Sequence, residues 1–137
     1  MYEKRSLIKI KSLFEVGNLK SNGHYALATI HQGTVYVSGQ FAIDPETGEK
    51  KFGTIEEETL QALKNVESIL TAAGSKKEQI LRMTLYIPDV ALWDQVNAVY
   101  EQFFGSHKPA RTVVPTRKLH FGFKIEIEAI AYIEQGR

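Results

Sequence analysis

The 137-residue chain carries 17 Lys and Arg against 16 Asp and Glu, a net charge of +1, and no cysteine. That length suits one domain with a real core, spanning residues 1–137, and is short for two. The balanced charge gives no basic field of the kind nucleic-acid binders use, and the missing cysteines exclude a disulfide, a thiolate nucleophile and any Cys-based zinc site.

No stretch has the apolar length of a signal peptide or a bilayer span, so a cytoplasmic protein without a membrane partner is expected. Short strands are predicted first, at Leu7 to Lys11, Tyr25 to His31 and Val35 to Gln40, with a Gln32-Gly33 turn before the last. Asp44-Pro45-Glu46-Thr47-Gly48 is a strong loop signal. The period then changes. Thr54 and Glu57 form a capping box, Leu60, Leu63, Val66, Leu70 and Ala73 keep helical spacing, and Gly74 is placed to end the helix. A strand is predicted over Gln79 to Ile87, and a second helix from Pro88-Asp89 with Leu92, Val96, Val99 and Phe103 as its buried stripe. The last two strands are Thr112 to Leu119 and Lys124 to Ile133, the first carrying Pro115 and therefore placed at an edge or bulge. This order suits an α+β domain with two helices on one face of a mixed, mainly antiparallel sheet. With no further helix for the other face, self-association through it is expected.

The four histidines show no metal-ligand spacing, no phosphate loop or dinucleotide fingerprint is present, and Ser38 lacks a nucleophile elbow. Neither a metal nor a bound cofactor is expected. Gly39 marks either a strand bulge or a close backbone approach to a ligand. Arg111, at the mouth of a strand, is either a surface arginine or a planar fork able to grip a carboxylate with two parallel hydrogen bonds. Asn97 and Tyr25 are each either ordinary surface residues or donors aimed into a cleft. In the last strand Lys124, Glu126, Glu128, Ile130 and Tyr132 share one face, opposite Ile125, Ile127, Ala129 and Ala131. The glutamates line either the wet side of a half-buried sheet or a reactive cleft.

Ordered motifs run across nearly the whole chain: Gly23-His24-Tyr25, Val35 to Gln40 (VYVSGQ), Asp44 to Gly48, Ala62 to Val66 (ALKNV), Ala72 to Gly74, Val96 to Phe104 (VNAVYEQFF), Pro109 to Thr112 (PART) and Lys124 to Ala131 (KIEIEAIA). Together they resemble the Rid family, also called YjgF-like proteins and often labelled endoribonuclease L-PSP. The resemblance implies a chorismate-mutase-like α+β fold, a homotrimer with three clefts between subunits, and hydrolysis of the C=N bond in enamines and imines such as 2-iminobutanoate and 2-iminopropanoate to 2-oxo acids and ammonia, with no cofactor. It also implies roles. Arg111 would hold the substrate carboxylate and Glu126 would activate water, while Tyr25, Ser38, Gly39 and Asn97 would complete the binding site and Glu128 would remain structural. The chain departs from the family at His24, at Val113, where a cysteine is frequent, and at His120, where a proline is frequent. A non-catalytic trimer binding a small carboxylate is the alternative from a different class. Ribonuclease action is disfavoured by the charge balance.

Overall fold

The computed structural model describes residues 9–135. Among the described residues eight strands form: β1 (Lys11–Leu13), β2 (Glu15–Val16), β3 (Leu19–Lys20), β4 (Ala28–His31), β5 (Thr34–Gln40), β6 (Ile80–Ile87), β7 (Ala110–Pro115) and β8 (Glu126–Tyr132). Six of them make one sheet in the order β1-β4-β5-β8-β6-β7, and β2 with β3 makes a separate small hairpin. Every neighbour in the large sheet is antiparallel except β6 and β7. A parallel pair needs a crossover connection, and the second helix supplies it. The Gln32-Gly33 loop between β4 and β5 has φ of +50° and +80°, the left-handed pair that lets two residues reverse the chain in step with strand twist. The β2–β3 hairpin was not read from the sequence, although Gly17-Asn18 is its turn signal.

Helix α1 (Ile55–Ala73) starts on the expected capping box: Glu57 N–H donates to Thr54 Oγ1 at 3.1 Å, and Thr54 N–H donates to Glu57 Oε1 at 2.8 Å. It stops at Gly74, whose φ of +92° turns the chain away from the helix axis. Its buried face carries Thr59, Ala62, Leu63, Val66, Ile69 and Leu70. Leu60 is exposed, a correction to the predicted stripe, because it sits about 100° around the helix from Thr59.

Helix α2 (Trp93–Phe104) begins later than the sequence suggested. Asp89 does cap, accepting from Ala91 N–H at 2.9 Å, but it caps a single tight turn at Val90–Leu92 before the α-helix starts. Val96, Tyr100 and Phe104, spaced by four, are the buried residues, and the predicted Leu92, Val99 and Phe103 pack beside them half-buried.

Strand limits differ for identifiable reasons. Of the predicted first strand, Leu7 and Ile8 lie outside the described residues, and Lys11 opens β1. Tyr25 precedes β4 rather than starting it, and Gln79 belongs to a short turn before β6. The strand that starts at Ala110 ends at Pro115, which has no N–H to donate, on the sheet's edge. Strand β8 starts at Glu126 rather than Lys124, because Lys124 N–H donates to the Glu58 carboxylate at 2.8 Å.

Both helices pack on one face of the sheet, over Val35, Val37, Met83, Leu85, Ile87, Ile125, Ile127, Ala129 and Ala131. The opposite face presents Tyr36, Thr84, Tyr86, Glu126, Glu128 and Ile130, and no described element covers it. This is the mixed, mostly antiparallel α+β arrangement that the sequence pattern implied.

Candidate active site

Arg111 stands on β7 level with Met83 of β6, and Met83 is buried beneath the helices. Partners in register share a face, so the arginine side chain rises on the helix side. There its Nη1 donates to Asn97 Oδ1 at 2.9 Å, and its guanidinium carbon lies 4.7 Å from the Tyr100 ring centre and 5.8 Å from that of Trp93. One hydrogen bond and a ring face thus fix the plane of the fork. Asn97 Nδ2 donates in turn to Glu101 Oε2 at 3.3 Å. Asn97, Tyr100, Glu101 and Arg111 line a depression of about 330 Å³ that also includes His107 and Lys108. Beneath it the Tyr100 hydroxyl is buried without a partner among the described residues, and burial pushes its pKa up to about 12 against the opposing pull of Arg111.

Glu126 is level with Tyr86 of β6 and so projects from the other, uncovered face. Burial raises its pKa first, the neighbouring Glu128 raises it further, and His120 acts in the opposite sense. Tyr86 is raised as well, by burial and then by the neighbouring Glu128 charge. Glu128 itself is exposed in the single chain.

Ser38 and Gly39 form a bulge. Val37 pairs with Ala129 and Gln40 with Ile127, so β5 spends three steps where β8 spends two. The extra residue brings Gly39 against Glu126, and a Cβ on Gly39 would lie 2.9 Å from Glu126 Cδ. The bulge reading of Gly39 is the one the structure bears out, and the group that approaches its backbone is the Glu126 carboxylate. Ser38 Oγ donates to Ala26 O at 2.7 Å, which fastens the bulge to the segment leading from Tyr25 into β4. Tyr25 is 46% exposed and lines a second depression of about 350 Å³ with Gly39, Gln40, His120 and Phe121. Val113 packs against the core and reaches neither depression.

The sequence-predicted residues therefore fall into two groups on one chain, Arg111 with Asn97 on the helix face, and Glu126 with Gly39, Ser38 and Tyr25 beside the open face. Three participants were missed. Tyr100 was legible by counting four residues on from Val96. Glu58 is fully buried and accepts from Lys124 N–H at 2.8 Å and Gly53 N–H at 3.2 Å, with Lys124 Nζ at 3.4 Å. It joins the entrance of α1 to the entrance of β8, and its one signal was its position four residues before Ala62. Phe121 had no signal, because its left-handed backbone, φ +61°, is foreign to aromatic residues. Among the described residues, no group of three or more His, Asp or Glu side chains is placed to hold a metal ion, and no helix is long and apolar enough to cross a membrane.

Comparison with known proteins agrees with this architecture. A model of the family described as Endoribonuclease L-PSP matches residues 16–133. The chain is 39% identical over 109 residues to the human protein named 2-iminobutanoate/2-iminopropanoate deaminase, covering 80% of each. It is 40% identical over 115 residues to a RutC family protein of Pyrococcus horikoshii, covering 84% of this chain and 91% of that one. Among solved structures, E. coli TdcF with bound serine superposes with a TM-score of 0.83 at 33% identity, over 90% of this chain and all of that one. A Yersinia pestis protein of the Rid family gives 0.85 at 35% identity, over 91% of this chain and all of that one. The chain belongs to the Endoribonuclease L-PSP family, the Rid or YjgF proteins.

Proposed function

We propose that the protein is an imine deaminase that hydrolyses small 2-imino acids, of the 2-iminopropanoate and 2-iminobutanoate type, to 2-oxo acids and ammonia. The observation that carries the reading is the pairing of half-sites: a guanidinium fork braced by Asn97 and Tyr100, and a carboxylate of raised pKa seated on a glycine bulge. The human relative's name supports the reaction, and the serine held by TdcF supports a small amino-acid-like ligand.

In this reading a one-domain chain assembles as a homotrimer through its open sheet face, and Arg111 of one copy meets Glu126 of the next across each cleft. Arg111 holds the substrate carboxylate through both arms of its fork. Glu126 takes a proton from water as the water oxygen bonds to the C=N carbon, and passes that proton to the imine nitrogen. The resulting tetrahedral carbinolamine loses ammonia when Glu126 takes the hydroxyl proton and delivers it to nitrogen as the C–N bond breaks, leaving the 2-oxo acid. A raised pKa makes Glu126 a stronger base than an ordinary carboxylate. Backbone groups at Ser38-Gly39 and the Tyr25 hydroxyl hold the reacting centre. Asn97, whose carbonyl oxygen is taken by Arg111, aims the fork.

The test is direct. 2-Iminopropanoate and 2-iminobutanoate are generated in place with an amino-acid oxidase or a dehydratase, and their decay is followed with native protein and with Arg111→Ala. Acceleration by the native protein that is lost in Arg111→Ala is expected; decay no faster than in buffer rejects the assignment.

A further inference from the structure

The depression beside Glu126 is larger and more aromatic than a three- or four-carbon acid requires. At about 350 Å³ it falls within the range of roughly 300–1,000 Å³ typical of sites for larger small molecules. Tyr25 and Phe121 both line it, and the structure leaves them 46% and 54% exposed. Its wall is continuous. Phe41 also lines it and stacks on buried Phe123 at 4.7 Å between ring centres, and Phe123 meets Phe121 edge-on at 6.3 Å.

Phe121 is the unusual member. Its backbone sits at φ +61° and ψ 6°, where a Cβ crowds the following carbonyl and where Gly or Asn would rest more easily. That conformation lifts the ring out of the core to the rim of the depression, with the His120 ring tilted against it at 3.6 Å between centres and Lys50 Nζ at 4.2 Å from its centre. The fold thus holds a large apolar ring, at a backbone cost, in a position where it buries little of itself. Strain kept at the edge of a site is the pattern expected of a residue retained for what it contacts. His120 ties this loop to the chemistry, since it acts on the Glu126 carboxylate.

We infer that Phe121 and Tyr25 form an aromatic subsite that selects 2-imino acids with an aromatic side chain, the ring lying along Phe121 while the imine carbon faces Glu126. This rests on the deaminase reading and narrows its substrate class. Ring pairs of this kind add enough binding to change selectivity by about three- to tenfold.

The experiment compares native protein with Phe121→Asn, which suits the left-handed backbone and removes the ring. Imines of phenylalanine and alanine are generated with an L-amino-acid oxidase, with catalase present to remove peroxide. In parallel, binding of 3-phenylpyruvate and pyruvate is measured by calorimetry. The expected results are a higher kcat/KM for the phenylalanine imine, tighter binding of phenylpyruvate, and a fall of both ratios by about three- to tenfold in Phe121→Asn, which should unfold at no lower temperature. Ratios unchanged in the variant overturn the inference, and if sedimentation then shows an altered assembly, the ring seals a subunit contact instead. Turnover of the alanine imine without preference for the aromatic one overturns the inference and leaves the deaminase reading standing. Absence of all turnover rejects the deaminase reading, and the binding ratio still decides the subsite.

Discussion

Arg111 and Glu126 lie on opposite faces of one sheet. Arg111 is level with buried Met83, Glu126 with outward Tyr86, and residues 83 and 86 of β6 differ by an odd number of steps. Since side chains alternate along a strand, no rotamer brings the fork and the carboxylate to one small substrate within a single chain. If the two act together, they come from different copies.

Mixing inactive variants tests this. Arg111→Ala and Glu126→Gln should each be inactive alone. Co-refolded in equal amounts as random trimers, they should regain roughly a quarter of native activity, because each mixed trimer rebuilds one intact cleft of three. Activity that stays at background after verified mixing would mean that the two residues act within one chain, or not at all.

The acid limb of kcat/KM should report Glu126. Its carboxylate must be ionised to accept a proton from water, so activity should rise with pH through a midpoint above the ordinary glutamate value. Glu128 raises that pKa and His120 lowers it. Glu128→Gln should therefore move the limb to lower pH with turnover largely kept, and His120→Asn should move it to higher pH. A limb unmoved by either substitution would assign the titration to another group.

Gly39→Ala should separate activity from folding. The added methyl would lie 2.9 Å from Glu126 Cδ and must displace the carboxylate. A shift of about 1 Å at a reacting group costs on the order of 100-fold in rate. Gly39 is not in the left-handed region, so the backbone accepts alanine and the melting temperature should change little. Steady-state kinetics beside a thermal melt checks both halves.

Glu58→Ala should show the reverse balance. It strips the partner from two backbone N–H groups and leaves Lys124 Nζ without its ion pair, a loss of about 3 kcal/mol. A denaturant titration should record a lower midpoint with an unchanged slope.

Much of the fold was readable because its signals are local. The Thr54-Glu57 box, the Gly74 stop and the Gln32-Gly33 turn each depend on a few adjacent residues, and all three hold. The errors arose where a distant group decided. Lys124 left the ladder because Glu58, far back in the chain, takes its N–H, and the buried stripe of α2 moved from Phe103 to Phe104 because the orientation of a helix on its sheet is set by packing. In the candidate site, Arg111, Asn97 and Glu126 were legible as residue types within motifs and the burial of Tyr100 by its spacing from Val96, whereas the seat of Tyr100 beneath the fork and the place of Phe121 at the rim were not. Neither a cation over a buried ring nor a left-handed phenylalanine leaves a mark in linear spacing.

By itself the sequence determined the order of the helices and the long strands, both ends of α1, the family resemblance and the alternation that puts Glu126 and Glu128 on the polar side of β8. Tertiary structure alone decided that Gly39 bulges against Glu126 and that Glu128 stays exposed. It also decided that Arg111 turns to the helices while Glu126 turns away from them. The physical reason is register: alternation says which residues of one strand share a face, but only pairing between strands brought together from distant parts of the chain says which face that is.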